Sequence, residues 1–236
     1  MEITPLGDSA LLVRVCDSVA THPRETLEQV IATMERIDAA KLPGVVELAP
    51  AYTAIGIYYD PSRVVAEGVR VDSVFEWLAA QIQALGRAAE GPDVMTHGKV
   101  VEIPVCYGGE FGPDLAEVAR YTGLAPEEVV RRHCEAETCV HFLGFTPGFP
   151  YLSGLPPELA VPRRAVPRKD TPAGSVGIGG SQTGIYPMRS PGGWNLIGRT
   201  PLRLFRVNDD PPTVLRPGDR VHFRPIAPEE FHAWRE

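Results

Sequence analysis

The sequence predicts two units, an α+β unit over residues 1–90 and a mainly-β barrel or sandwich over residues 98–236. In the first unit, each of two helical apolar patterns follows a pair of short strands. In the second, glycine and proline supply 20 of the 58 residues from 141 to 198, a share that excludes long helices. Residues 86–98 are small, polar and rich in helix-breaking residues, which predicts a linker.

The N-terminal unit is predicted to follow the order ββαββα. Both helical patterns place apolar residues three and four positions apart, so each helix buries one face. Two helices packed on one side of an antiparallel sheet satisfy this pattern. In chain order, the predicted elements are strands over 3–6 and 10–15, a helix beginning near 23, strands over 45–48 and 53–59, and a helix over 72–85.

The C-terminal unit is predicted to begin with a strand and two short helices and to continue as short strands. Gly123 ends the first helix, and Pro126 sits in the first turn of the second. The later apolar runs are bounded by glycine and proline, as barrel strands are. The predicted elements are a strand over 100–105, helices over 114–121 and from 126, and strands over 140–143, 175–178, 194–197, 202–207 and 220–223.

Composition excludes several classes of protein. Hydrophobic residues make up 44% and charged residues 22%, as in soluble globular chains. No apolar run approaches the roughly 20 residues of a membrane span, and we recognise no signal peptide, so the expected compartment is the cytoplasm. The net charge of −7 argues against nucleic-acid binding.

The cysteines predict neither disulfides nor a metal site. They show no disulfide-framework spacing and no CxxC pair. His133, Cys134, Cys139 and His141 form the one candidate zinc cluster, but they straddle a predicted helix end and a strand. We therefore expect small buried thiols and no metal.

Positive charge is concentrated in one segment. Residues 158–206 carry eight basic and two acidic residues, which is +6 locally and leaves −13 for the rest. Within it, prolines stiffen the stretch that presents Arg163 and Arg168. Rigidly held guanidinium groups suit a carboxylate or phosphate ligand. The alternative is a solvated basic surface.

Aromatic residues are interleaved with the glycines and prolines. Phe149, Tyr151, Tyr186 and Trp194 lie in this region, and such loops tend to be rigid and packed. The pattern favours a ligand-lining role over scaffolding alone. No nucleophile triad is recognisable. His141 is a candidate general base, and a buried structural histidine is the alternative.

Residues 174–184 form a glycine-rich run. Backbone N–H groups in such turns can bind anions, which makes this a second candidate anion site. The run is neither a Walker A loop nor a dinucleotide fingerprint, and a β-turn between strands is the alternative. Its candidate ligand-binding residues are Ser175, Gly179, Gly180, Gln182 and Thr183.

Several long and specific motifs span nearly the whole chain. They are PLGDSA at 5–10, GFTPGFPYL at 144–152, PRRAVPR at 162–168, PAGSVGIGGSQTGIYP at 172–187 and PGGW at 191–194. Together they resemble the signature of the PxpB/KipI family. Two positions depart from the family pattern: His141 stands where a large aromatic residue is common, and Thr171 where an aliphatic one is usual.

The resemblance implies a ferredoxin-like N-terminal domain and a cyclophilin-like C-terminal barrel. It implies a subunit of ATP-dependent 5-oxoprolinase, which opens 5-oxoproline to glutamate. The expected partners are a PxpC-type subunit, similar to allophanate hydrolase subunit 2, and a PxpA-type subunit. ATP with Mg²⁺ is expected at the level of the complex, and no cofactor is expected on this chain, which lacks a P-loop. In this interpretation the arginines and the glycine-rich run offer groups for carboxylate and phosphate oxygens, and the aromatic residues enclose the ring.

The resemblance leaves two other functions open. One is a biotin-dependent carboxyltransferase acting on urea or an amide, which would need a biotinylated partner because this chain has no Met-Lys-Met carrier motif. The other is a KipI-like inhibitor that binds a histidine kinase and has no enzymatic activity.

Overall fold

The computed structural model describes residues 1–17, 23–87 and 98–235. The chain divides into two compact units, Met1–His97 and Gly98–Glu236. Of the predicted linker, residues 88–97 lie outside the described part of the chain.

The N-terminal unit is a four-stranded antiparallel sheet with helices. The strand order is β1-β2-β4-β3, so the two inner strands carry the buried residues of the sheet. Leu11 and Ile57 pack with the helical residues Val30 and Leu78 in one core. The elements are β1 (Glu2–Pro5), β2 (Ala10–Arg14), α1 (Pro23–Ala39), β3 (Val45–Ala51), β4 (Ala54–Tyr59), α2 (Pro61–Ala66) and α3 (Val74–Arg87).

The short helix α2 is absent from the predicted ββαββα order. The prediction has no element between the strand over 53–59 and the helix over 72–85, but Asp60 and Pro61 begin this helix. The Asp60 carboxylate accepts hydrogen bonds from the backbone N–H of Ser62 at 2.9 Å and from its hydroxyl at 2.6 Å. Proline suits the first helical turn because its missing N–H would have no partner there.

No helix among the described residues is long and apolar enough to cross a bilayer.

The C-terminal unit is a closed seven-stranded barrel in the order β10-β7-β6-β13-β5-β12-β9. Strands β13 and β5 pair in parallel, and the core is filled by aliphatic residues such as Ile103, Val176, Ile178 and Val221. A separate two-stranded ribbon pairs β11 with β8. The elements are β5 (Val100–Tyr107), α4 (Leu115–Thr122), α5 (Pro126–Glu135), β6 (Thr138–Leu143), β7 (Pro150–Ser153), β8 (Arg168–Thr171), β9 (Ser175–Gly179), β10 (Gln182–Ile185), β11 (Ser190–Gly192), β12 (Asn195–Arg199), β13 (Arg220–Pro225) and α6 (Pro228–Ala233).

The strand predicted over residues 202–207 is wrong. Within the described part of the chain, this segment makes a single bridge, between Phe205 and Thr213, and joins no sheet. Its apolar character has another cause, because Leu204 is 1% exposed and packs into the barrel core from a loop. Val207 at the end of the run is 75% exposed.

Candidate functional site

Four aromatic residues predicted to line a site lie together at one side of the barrel. The Phe149 ring centroid is 4.9 Å from that of Tyr151, 5.1 Å from Tyr186 and 5.5 Å from Trp194. The rings meet edge to face or tilted, the arrangements that aromatic pairs prefer. Burial raises the pKa of the Tyr186 hydroxyl, so this group stays protonated. We call Phe149, Tyr151, Tyr186 and Trp194 the aromatic cluster.

Glycines on two strands make room for the Trp194 indole. A methyl group on Gly179 would lie 2.7–2.8 Å from three indole carbons, closer than real contacts allow. One on Gly184 would lie 2.8 Å from the Pro150 carbonyl oxygen and 3.0 Å from the indole. Gly179 is therefore required by packing against the aromatic cluster.

Replacing Gly179 with alanine is expected to lower the free energy of unfolding by about 1–3 kcal/mol, because the indole must shift. Urea denaturation followed by tryptophan fluorescence measures this loss. Gly193→Ala is the matched control, since its new methyl would meet Pro167 at an ordinary 3.7–3.8 Å. An equal loss in both variants would contradict the packing argument.

Phe145 extends the aromatic cluster toward solvent. Its side chain is 61% exposed, and its ring stands edge-on to Phe149 at 5.6 Å and to Tyr186 at 6.3 Å. Its backbone has φ +67°, a left-handed conformation that costs a bulky residue energy. Strain of this kind concentrates at functional sites.

The arginines of the basic segment differ in their partners. The Arg163 guanidinium carbon lies 5.7 Å from the Trp194 ring centroid, a cation–π contact with the aromatic cluster. Arg168 instead donates to the buried carboxylate of Asp114 at 2.5 Å, and Arg164 donates to the same oxygen at 3.0 Å. The second Asp114 oxygen accepts the backbone N–H of Leu196 at 2.7 Å.

Asp114 was not among the predicted site residues. The sequence places it only at the start of a helix, yet its side chain caps no N–H of that helix. It is 4% exposed and joins the arginine segment to strand β12. The sequence offers one signal for it, the three arginines between residues 163 and 168. Arginine side chains that fold inward need a buried counter-charge.

The glycine-rich run forms the β9–β10 hairpin. Gly180 lies in its turn with φ +67°, and its N–H donates to the Val161 carbonyl at 2.7 Å. Ser175 is buried, and its carbonyl accepts the N–H of Tyr186 at 2.9 Å. Gln182 pairs with Gly179 across the hairpin and is partly exposed. The hairpin thus supports the aromatic cluster, and the N–H of Gly180 is already used within the fold.

Thr183 belongs to a buried polar chain on the other side of the same hairpin. His133 is fully buried, with Nδ1 2.9 Å from the Tyr107 hydroxyl and Nε2 2.9 Å from Thr183 Oγ1. Thr183 donates onward to the Gly177 carbonyl at 3.2 Å, so Nε2 carries the ring proton and Nδ1 accepts from Tyr107. Burial lowers the pKa of His133 to about 3 and raises the pKa of Tyr107.

His141, the candidate base, is the extra residue of a bulge on β6. Val140 and Phe142 pair with the consecutive residues Leu152 and Tyr151, which leaves His141 between them. It is 2% exposed, and burial lowers its pKa, so it is neutral near pH 7.

Among the described residues, no group of three His, Cys, Asp or Glu side chains could hold a metal ion.

Comparison with known proteins gives a family. The model of the carboxyltransferase domain, subdomain C and D, matches residues 1–215. The B subunit of Bacillus subtilis 5-oxoprolinase is 44% identical over 240 residues, covering 100% of this chain and 97% of that protein. The chain belongs to the family of 5-oxoprolinase B subunits. The Escherichia coli O157:H7 family member is 59% identical over 127 residues, covering 54% of this chain and 58% of that protein. The resemblance predicted from the motifs is therefore confirmed.

Solved structures share the fold of this chain. The protein TTHA0988 superimposes with a TM-score of 0.76 at 36% identity; the match covers 92% of this chain but only 40% of that longer one. Protein PH0987 from Pyrococcus horikoshii is 41% identical, with a TM-score of 0.56 and coverage of 98% and 100%. Kluyveromyces lactis urea carboxylase, at 20% identity and TM-score 0.71, shares the fold over 98% of this chain and 22% of its own.

Proposed function

We propose that this chain is the B subunit of an ATP-dependent 5-oxoprolinase, which converts 5-oxoproline, ATP and water to glutamate, ADP and phosphate. The observation that carries the proposal is the 44% identity to the B subunit of a 5-oxoprolinase across the whole chain. A PxpC-type and a PxpA-type subunit complete the enzyme, and ATP with Mg²⁺ binds within that complex. The cytoplasm is the proposed compartment.

The aromatic cluster and the arginines beside it fit the two parts of 5-oxoproline. The substrate is a five-membered lactam ring that carries one carboxylate. Aromatic walls such as Trp194 and Tyr186 pack on the ring and exclude water, and the Arg163 guanidinium over the indole can approach the carboxylate. A lactam is a poor electrophile, so ATP is needed to activate its carbonyl oxygen before water opens the ring.

The test is reconstitution. This chain, co-expressed with PxpC-type and PxpA-type subunits, is expected to release glutamate from 5-oxoproline only when ATP is present.

Trp194→Leu is expected to lower kcat/KM at least tenfold, because the wall of the ring site is lost. Trp234→Leu, outside the cluster, is the control. Absence of turnover by a fully assembled complex would refute the proposal.

A carboxyltransferase role is the second candidate. The family model carries that name, and the urea amidolyase of Lachancea kluyveri is 42% identical over 74 residues, which is 29% of this chain and 4% of that protein. A carboxyltransferase would need a biotinylated partner and bicarbonate. Turnover of 5-oxoproline that is unaffected by avidin or by removal of bicarbonate would exclude it.

We also propose finer names for the two units. The four-stranded sheet with α1 and α3 is consistent with the ferredoxin-like class expected from the family. The closed seven-stranded barrel is consistent with the cyclophilin-like class. An experimental structure of each unit, compared with members of both classes, tests these names.

A further inference from the structure

A bulge in the β8–β11 ribbon turns polar residues toward Tyr186. Thr171 pairs with Ser190 and Arg168 pairs with Gly192, so β8 has one more residue than β11 between the two pairs. Because of this bulge, Arg168 and Thr171, which are three positions apart, lie on the same face of β8. The burial agrees: the two residues between Arg168 and Thr171 are exposed, whereas Thr171 is 1% exposed.

The polar atoms on this inner face have no hydrogen-bond partner among the described residues. They are Arg168 Nη1, Thr171 Oγ1 and Ser190 Oγ, and each is closed off from solvent. A methyl group added at Gly192 would lie 2.5 Å from the Tyr186 hydroxyl and 2.8 Å from Thr171 Oγ1, so both oxygens line the same spot. Native folds rarely leave buried polar groups unsatisfied, so a water, an ion or a ligand is expected to complete this group.

The chemistry of the group selects the kind of ligand. Arg168 and Arg164 share the buried carboxylate of Asp114, and the other acidic group near them, Glu117, lies 3.7 Å from Arg164 and is 57% exposed. The two guanidinium groups therefore face one buried negative charge. The guanidinium N–H groups can only donate, and the hydroxyls are able to donate as well. Hydrogen-bond donors that lack an acceptor and lie beside guanidinium groups match a ligand that is rich in acceptor oxygens.

We propose that the inner face of the ribbon binds a small oxyanion, with Arg168, Thr171 and Ser190 as its donors. We call this site the ribbon pocket. Its position beside Tyr186 puts a bound anion next to the aromatic cluster. Which oxyanion enters it in the assembled enzyme rests on the proposed function: the carboxylate of 5-oxoproline or a phosphate group of ATP.

The ribbon is also the element that can admit a ligand. It is a sheet of two short strands outside the barrel ladder, and such a pair has little stability of its own. The side chains of Arg168 and Arg164 are 22% and 29% exposed, so they connect the closed donors with the surface.

The test is direct binding to the full chain at low ionic strength. Calorimetric titrations with inorganic phosphate and with acetate are expected to show one saturable site for at least one of them. The double variant Thr171→Val, Ser190→Ala keeps the charge and nearly the size but removes two donors, so the affinity is expected to fall at least tenfold. Arg189→Gln is the control, because Arg189 pairs with Asp170 on the outer face, and its affinity is expected to stay unchanged.

Binding of phosphate or of acetate identifies the oxyanion, and either supports the proposal. It is overturned if neither binds, if the double variant binds as well as the wild type, or if a high-resolution structure with the anion that binds shows only a buried water in the ribbon pocket. Should the double variant fail to fold, Arg168→Lys keeps the charge without the planar fork and must also weaken binding. These readouts need no turnover, so an inactive complex that still binds oxyanions counts against the oxoprolinase alone.

Discussion

Replacing Asp114 with alanine is expected to lower the free energy of unfolding of the C-terminal unit by about 3–5 kcal/mol, the usual cost of removing one partner from a buried ion pair. Its carboxylate side chain is 5% exposed and faces the guanidinium groups of Arg164 and Arg168. Without it, two like charges remain close together, and the Leu196 N–H loses its acceptor. Urea denaturation of the full chain measures the loss.

Two further variants separate charge from hydrogen bonding. Asp114→Asn keeps an acceptor for Leu196 but removes the negative charge, so an intermediate loss is expected. Glu117→Gln is the control: Glu117 also contacts Arg164, at 3.7 Å, but is 57% exposed, so its removal should cost less than about 0.5 kcal/mol. A loss below about 1 kcal/mol for Asp114→Ala would mean that the arginines are compensated elsewhere.

Asp114 also shows why the site was only partly predictable. Its partners Arg164, Arg168 and Leu196 lie 50, 54 and 82 residues further along the chain. Local rules assign an aspartate before an apolar run to a helix start, and α4 does begin at the next residue. Nothing local indicates that the side chain turns away from the helix to meet two arginines. Contacts of this range are fixed by barrel closure, which a single sequence does not display.

The aromatic cluster was predictable because rings among glycines and prolines must be packed to be stable. The role of the glycines that pack beside the cluster was harder to assign. In the sequence, Gly179 and Gly180 are equally compatible with an anion-binding loop and with a hairpin. The structure distinguishes the two by the packing of Gly179 against Trp194 and by the hydrogen bond from the Gly180 N–H to Val161. The ribbon pocket could not be predicted from the sequence either, because it depends on a one-residue bulge between Arg168 and Thr171.

Elements with strong periodicity were predicted, and elements defined by pairing were not. Helices α1, α3, α4 and α5 follow apolar spacing and their end signals. Strands β8 and β11 have four and three residues, too short for any alternation to be recognised. Residues 202–207 show the reverse case, because apolar loop residues that anchor to the core have the same sequence pattern as a strand.

The C-terminal unit is expected to lose stability in mild acid because of His133. Its pKa in the fold is about 3, against an ordinary 6.5, and burial is the cause. Between these values the unfolded chain binds a proton that the folded chain does not. Stability therefore falls as the pH is lowered from 6.5, by about 1.4 kcal/mol per pH unit from this group, or about 2 kcal/mol at pH 5.

The variant His133→Gln isolates this contribution. Glutamine can donate to Thr183 and accept from Tyr107 but does not titrate, so it should be less stable at pH 7 and have a shallower pH dependence. Measurements between pH 5 and 6.5 avoid Glu128, whose pKa the neighbouring arginines lower to about 2. His141, whose pKa burial also lowers, acts in the same direction in both proteins and cancels in the difference. Parallel pH profiles would mean that His133 is protonated in the folded chain, which its two hydroxyl partners and its buried site argue against.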